Sequence, residues 1–187
     1  MEENMERINA VTFAPFCARG TFEKEETRQS LKLMKEKTGA NYVIFAPNGM
    51  QKTAFSEEID YRTDRNVTDE ELIAMIGYAK ELGLNDALKP TANCEDGTWR
   101  AHINFFDEDV VCEPKWGNWF ASYRAFQEHY AGLAQQCGVD LFIAGCEMVQ
   151  TERREAEWRE VIAAIRRKYD GVDYYITYKI QENYIKW

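Results

Sequence analysis

The sequence predicts an α/β fold in which parallel β-strands alternate with α-helices. Short apolar runs of strand length alternate with amphipathic segments of helix length, which is the pattern of βαβ units. Gly39, Gly83 and Gly138 end the helical patterns and allow tight connections into the next strands. The loops that follow the strands are longer, as in barrels whose functional face lies at the carboxyl ends of the strands.

The elements can be placed in order along the chain. Asn85 and Asp86 make the third strand the least regular, because a carboxylate inside a parallel strand must be paired. Residues 48–67 and 91–115 are expected to be long loops, and Thr68–Glu71 forms a capping box that opens the second helix. The predicted strands are 8–16, 40–46, 84–90, 139–145 and 173–178, and the predicted helices are 23–37, 68–82, one around 116–130 and one around 158–169.

Composition bounds the class of protein and its partners. A chain of 187 residues with 45% hydrophobic and 29% charged residues is long enough for one globular domain. The net charge of −9 argues against nucleic acid and against anionic membranes. No run approaches the roughly 20 apolar residues of a membrane helix, and the polar, acidic N-terminus does not read as a signal peptide. A cytoplasmic location is therefore expected.

The cysteines and histidines do not predict a metal centre. The five cysteines are odd in number and lack CxxC spacing, so they are interpreted as free thiols in a reducing compartment. A site built from Cys94, Cys112, His102 and His129 is conceivable, but isolated thiols and histidines are more often structural. The motifs GxGxxG, GxxxxGK[ST], HExxH and GxSxG are missing, so nucleotide, zinc-protease and α/β-hydrolase functions have no support. We expect neither metal nor cofactor.

Glu147 is the leading catalytic candidate. The apolar strand at 139–145 delivers this carboxylate at its carboxyl end, where α/β barrels do their chemistry. The predicted role is general acid/base. The alternative is a structural role, in which the negative carboxylate stabilises the start of the following helix by interacting with the positive end of its dipole.

The loop after the third strand carries residues suited to a sugar. Pyranose rings stack on tryptophan, here Trp99, while side chains such as Arg100 and Asn93 hydrogen-bond to hydroxyl groups. The alternative is that the loop is a hydrophobic plug over the barrel. Lys89, at the end of the third strand, is placed to contact a hydroxyl or anionic group, although a solvated lysine would look the same. His102 is either a proton shuttle or a loop histidine satisfied by its neighbours.

Several longer blocks resemble one enzyme family, glycoside hydrolase family 113, which contains β-1,4-mannanases and related enzymes. The similarity runs from about Phe13 to Trp187. The blocks are Phe13–Phe22, Ser56–Tyr61, Lys89–Cys94, Gly97–Phe106, Glu113–Trp116 and Gly145–Trp158.

This resemblance implies a partial TIM (β/α)₈ barrel of the large retaining clan, made of the first five βα units. Residues 1–187 would then be a single, incomplete barrel domain whose C-terminal three units are absent. In that clan the acid/base glutamate ends strand four, and Glu147 matches it, whereas Cys146 stands where most of the clan has asparagine. Matches to the family's sugar-facing loop are Lys89, Asn93, Trp99 and Arg100.

The resemblance leaves the nucleophile without a counterpart. In the clan it is a glutamate at the end of strand seven, and the retaining mechanism needs two carboxyls roughly 5–5.5 Å apart. The late acids near the fifth strand and its tail are Asp173 and Glu182, and neither matches that position. We therefore expect this truncated chain to be inactive by itself.

The expected function is hydrolysis of β-1,4-linked mannan or a related hemicellulose, with a β-linked oligosaccharide or polysaccharide as partner. Two alternatives stay open. The first is a non-catalytic carbohydrate-binding remnant that keeps the aromatic residues. The second is an assembly protein, because open sheet edges invite pairing with another copy or with a partner that covers them.

Overall fold

Residues 7–106 and 108–176, the part of the chain that the computed structural model describes, contain seven strands and four α-helices. The strands are β1 (Ala10–Phe13), β2 (Tyr42–Phe45), β3 (Asn48–Gln51), β4 (Asn85–Leu88), β5 (Thr91–Cys94), β6 (Leu141–Cys146) and β7 (Val172–Ile176). The helices are α1 (Glu25–Thr38), α2 (Asp69–Glu81), α3 (Lys115–Cys137) and α4 (Glu155–Arg166). This order confirms the predicted α/β class.

Five of the strands form one parallel sheet in the order β1-β2-β4-β6-β7, so neighbours in the sheet follow one another along the chain. Parallel neighbours need a crossover, and each helix supplies one. Val43 and Phe45 of β2 are fully buried in the core. Alternate residues such as Tyr42 and Ile44 point to the opposite face, where they line an apolar cavity of about 260 Å³.

Helix α3 supplies the centre of the core. Trp116 and Trp119 are fully buried and Phe120 is nearly so. The rings of Trp119 and Tyr123 stack with their centroids 4.9 Å apart, and the Tyr123 hydroxyl donates to the carbonyl of Ala144 in β6. Helix and sheet are therefore held together by aromatic packing and by a buried hydrogen bond.

The capping box predicted at the start of α2 is present. Thr68 accepts from the backbone N–H of Glu71, and the Glu71 carboxylate accepts from the backbone N–H of Thr68 at 2.9 Å. The same carboxylate also accepts from the backbone N–H of Phe22 at 3.2 Å. Because Glu71 is buried, this second bond also fixes the connection between β1 and α1 against α2.

The irregular third strand of the prediction is β4, and its carboxylate is paired. Asp86 is fully buried and lies 3.2 Å from the Lys80 ammonium. Asp86 and Asp140 also accept hydrogen bonds from each other's backbone N–H groups. Burial raises the pKa of Asp86, while Lys80 opposes that shift. The pairing requirement inferred from the sequence is thus met.

The prediction that residues 48–67 and 91–115 are entirely loop was wrong where each begins. β3 and β5 continue the chain just past β2 and β4 and form a second, two-stranded parallel sheet. At Gly49 an added Cβ would lie 2.7 Å from Ile59, so the glycine allows this close approach. The strands were missed because four-residue polar segments carry no alternating apolar pattern.

Some expectations fall outside the described residues. β7 begins at Val172, but residues 177 and 178 of the predicted fifth strand and Glu182 are not described. Within the described part of the chain, no helix is both long and apolar enough to cross a bilayer.

Candidate active site

Glu147 directly follows β6, the fourth strand of the five-stranded sheet. Phe142 and Ala144 are fully buried within this strand, so its carboxyl end is held in a fixed place. The backbone of Glu147 has φ +56°, in the left-handed region that non-glycine residues rarely adopt. Such conformations cost about 1–3 kcal/mol and cluster at functional sites.

The Glu147 carboxylate has two hydrogen-bond donors. Arg100 Nη1 lies 2.8 Å and Trp99 Nε1 3.4 Å from the same oxygen, Oε2. The other oxygen, Oε1, makes no hydrogen bond within the described residues. The Arg100 side chain is 11% exposed and that of Glu147 is 34% exposed, so the ion pair is protected on one side and open to solvent on the other. This leaves one carboxylate oxygen free to exchange a proton with a bound molecule.

Arg100 is fixed by more than its carboxylate partner. It opens a short 3₁₀-helix, Arg100–His102, and its Nε donates to the carbonyl of Ala92 at 3.2 Å. Its Nη2 donates to Asn93 Oδ1 at 2.8 Å, and its guanidinium lies 5.6 Å from the centre of the Phe16 ring. All three nitrogens are therefore engaged, which restricts the guanidinium to one orientation.

The second sheet carries Asn48, a residue that the sequence did not single out. Asn93 in β5 donates from Nδ2 to the Asn48 carboxamide oxygen in β3 at 2.7 Å. Phe16, which adopts φ +61° and packs on Arg100, was also quoted only as part of a longer block. No local signal marks either residue, because each acts through a contact distant in sequence.

Trp99 lies at the rim of the site. Its side chain is 41% exposed and packs edge-on against His102, with the ring centroids 5.8 Å apart. His102 is itself exposed. The indole is therefore exposed beside the carboxylate, and sugar stacking on it stays a prediction.

Lys89 lies apart from the Arg100 and Glu147 pair. Its ammonium is 3.5 Å from Thr12 Oγ1, and its charge acts on the neighbouring Cys146 thiol. Burial raises the pKa of Cys146; Lys89 and Arg100 lower it, and Glu147 raises it. The structure thus brings Asn93, Trp99, Arg100 and Glu147 into direct contact and places Lys89 beside them through Cys146.

Asp173 lies at the wrong end of the sheet to partner Glu147. In the parallel register Asp173 is opposite Phe142 near the start of β6, and Glu147 follows the other end. Its carboxylate forms an ion pair with Arg166 at 3.0 Å. Among the described residues, no cluster of three or more histidine, cysteine, aspartate or glutamate side chains could hold a metal ion.

A parallel sheet whose strands follow chain order, with a paired acid at the carboxyl end of its fourth strand, fits part of a β/α barrel. A comparison with protein-family profiles matches residues 11–187 to Glycoside Hydrolase Family 113. The chain belongs to this family.

Solved structures agree with this assignment. A GH113 β-1,4-mannanase is 50% identical to this chain with a TM-score of 0.95, and the match covers 97% of this chain and 59% of that one. The GH113 β-mannanase AaManA from Alicyclobacillus acidocaldarius, in complex with ManMIm, is 37% identical with a TM-score of 0.91, covering 96% and 57%. A search of curated proteins found no match.

These comparisons confirm the predicted partial (β/α)₈ barrel. The chain spans 59% of the length of the 50%-identical mannanase. The exo-β-1,4-mannosidase Op5Man5 from Opitutaceae bacterium strain TAV5 shares only the fold, at 14% identity and a TM-score of 0.52.

Proposed function

We propose that this chain carries the acid/base half of a retaining hydrolase for β-1,4-linked mannan or a related hemicellulose. The observation that supports it best is the hydrogen-bonded Glu147 at the end of the fourth sheet strand, in a chain of Glycoside Hydrolase Family 113. Relatives in this family are β-1,4-mannanases.

The proposed chemistry follows from the carboxylate geometry. In its protonated form, Glu147 would give the proton on Oε1 to the leaving glycosidic oxygen while the nucleophilic carboxylate bonds to the anomeric carbon. As the base, Glu147 would then take a proton from the water that displaces this carboxylate from the sugar. Arg100 holds Oε2 and therefore orients the carboxyl group through both steps. The nucleophilic carboxyl, roughly 5–5.5 Å away in such enzymes, would come from outside the described residues, because Asp173 lies at the opposite end of its strand.

The proposed substrate contacts surround this acid. The exposed face of Trp99 would stack on a pyranose ring. Lys89 and Arg100 would donate to its hydroxyl groups, and Asn93 would donate to them or accept from them. A neutral polysaccharide also suits a chain with a net charge of −9.

The test is release of reducing sugar from β-1,4-mannan and mannooligosaccharides. We expect Glu147→Gln to abolish any activity that the unaltered chain shows, because glutamine cannot exchange the proton. Glu155→Gln, which alters an exposed acid of α4, is the matched control and should keep full activity. Equal activity in the Glu147→Gln protein would contradict the proposed role. Anomeric configuration in the first-formed product, read by NMR, tests retention.

A second candidate is a sugar-binding protein without turnover, and the position of Asp173 favours it because no nucleophile is offered there. Calorimetric titration with mannooligosaccharides separates the two functions. Binding without hydrolysis supports this candidate. If the chain shows no binding and no hydrolysis, both functions are contradicted.

We also propose a reducing, cytoplasmic location. All five cysteines are free thiols, and Cys112 is exposed. An oxidising compartment would expose such thiols to disulfide exchange. Fractionation of the source cells with an antibody against the chain tests this location.

A further inference from the structure

Three asparagine side chains connect helix α3 to the candidate acid/base pair. Asn66 donates to the Tyr130 hydroxyl at 2.7 Å and accepts from the backbone N–H of Asn48 at 2.7 Å. Asn48 Oδ1 accepts from Asn93 Nδ2 at 2.7 Å, and Asn93 Oδ1 accepts from Arg100 Nη2 at 2.8 Å. We call Asn66, Asn48 and Asn93 the amide relay. It begins in the core and ends on the guanidinium that binds the acid.

The relay has one direction. A guanidinium only donates, so Asn93 must turn its oxygen to Arg100 and its nitrogen to Asn48. Asn48 must then turn its oxygen to Asn93, and its nitrogen lies 2.9 Å from Met50 Sδ and 3.4 Å from the carbonyl of Arg65. Reversing either amide would place two donors or two acceptors together. Arg100 therefore fixes the orientation of the Asn93 amide and Asn93 that of the Asn48 amide, while Asn66 holds the Asn48 backbone.

Burial makes this relay rigid. Asn48 is 5% and Asn66 1% exposed, and the Tyr130 ring at its root is 1% exposed. Buried amides without partners are costly, so the hydrogen bonds persist and hold their members in place. The two strands that carry Asn48 and Asn93 pair in register, which sets the spacing between them.

We propose that Asn48 and Asn93 are positioning residues that hold the Arg100 guanidinium against Oε2 of Glu147. They act through Arg100, and this role is separate from any contact between Asn93 and a sugar. The consequence for catalysis rests on the proposed function, whereas the effect on Arg100 and Glu147 does not.

The structural effect is measured by ¹⁵N NMR of the 187-residue chain. The Trp99 indole N–H reports on the carboxylate because it donates to Glu147 Oε2, and Trp99→Phe identifies its signal. Arg100→Lys identifies the Arg100 Nε–H signal in the same way. In Asn48→Ala, which removes the acceptor of Asn93, we expect both signals to shift.

Two further variants separate positioning from general packing. Asn48→Asp keeps an acceptor for Asn93 Nδ2 and should return both signals towards their native positions. Asn118→Ala removes an amide that donates to Glu57 outside the relay, and it sets the size of an unrelated shift. Signals in Asn48→Ala that move no further than in Asn118→Ala would overturn the proposal. So would equal shifts in the alanine and aspartate variants. If Asn48→Ala does not fold, Asn93→Ala, at a half-buried position, replaces it. We expect Asn93→Ala to shift both signals and Asn93→Asp to return them towards their native positions.

The kinetic effect has its own signature. If the unaltered chain hydrolyses mannooligosaccharides, we expect Asn48→Ala to lower kcat about tenfold to a hundredfold with KM nearly unchanged, because misplacing an acid weakens the transition state more than the bound substrate. A raised KM with unchanged kcat would contradict positioning. If the unaltered chain neither hydrolyses nor binds mannooligosaccharides, the proposed function fails, and the NMR comparison still tests the relay.

Discussion

At the scale of single residues, Glu147 combines an unfavourable backbone with a fixed side chain. Its φ of +56° lies in a region that glycine adopts without cost and that is unfavourable for residues with a Cβ. A residue with a side chain is nevertheless needed there to carry a carboxylate that Arg100 and Trp99 can bind. Stability and function therefore oppose each other at this position.

This conflict can be measured by comparing two substitutions that both remove the carboxylate. Relative to alanine, glycine avoids the cost of the left-handed backbone, which stabilises Glu147→Gly by about 1–2 kcal/mol. The greater freedom of glycine in the unfolded chain destabilises the same variant by about 0.4–1 kcal/mol. We expect Glu147→Gly to be about 0.5–1 kcal/mol more stable than Glu147→Ala. Urea denaturation measures the difference, and a less stable glycine variant would show that the backbone is not strained.

Trp99 gives the second prediction at this scale. Removing its exposed ring in Trp99→Ala should weaken mannooligosaccharide binding about tenfold, which corresponds to about 1.4 kcal/mol. Trp99→Phe keeps an aromatic face and should lose much less. Calorimetric titration measures both. If the two variants bind equally well or equally badly, stacking is not the contribution of this residue.

At the scale of elements, the strands of the five-stranded sheet could be predicted from the sequence, whereas those of the two-stranded sheet could not. The strands of the five-stranded sheet were predictable because apolar runs and glycine stops are local signals, and Glu147 was predictable because it ends such a run. Asn93, Trp99 and Arg100 were singled out because an indole, a guanidinium and an amide in a long loop suit a sugar, and the family resemblance pointed to the same residues. Asn48 was not found, because its partner lies 45 residues away and only the pairing of β3 with β5 brings them together.

The buried carboxylate of β4 gives a pH-dependent prediction. Since burial raises the pKa of Asp86, the folded protein holds this proton more tightly than the unfolded chain does. Stability therefore falls as pH rises from the ordinary value of the carboxyl through the raised one, and Lys80 offsets part of that loss.

We expect Lys80→Met to lower the free energy of unfolding by about 1–3 kcal/mol at pH 8, where Asp86 is charged and has lost its cation. At acidic pH the loss should be smaller, because a protonated Asp86 does not need the ammonium. Lys32→Met, at an exposed position of α1, is the control. Urea titrations at several pH values test this. A loss independent of pH would mean that Lys80 contributes through packing and its hydrogen bond to the Gly138 carbonyl, and not through Asp86.

At the scale of the whole molecule, the described residues bury one face of the five-stranded sheet and leave the other partly uncovered. The open face is apolar, with Tyr42, Ile44 and Leu141 around a cavity of about 260 Å³. Exposed apolar surface of this kind marks an interaction site or an aggregation risk. The outer strands β1 and β7 have one unpaired edge each within the described residues, which adds a second route to association.

We therefore expect a polypeptide of these 187 residues to self-associate through the open sheet face. Tyr174 in β7 lines the cavity and is 51% exposed, so Tyr174→Lys should introduce a charge into the contact and shift the population towards monomer. Leu33→Lys is the matched control, because Leu33 is 49% exposed but lies on α1. Sedimentation velocity over a range of concentrations measures the mass of each protein. A native chain that stays monomeric throughout, or two variants that dissociate alike, would show that this face does not drive association.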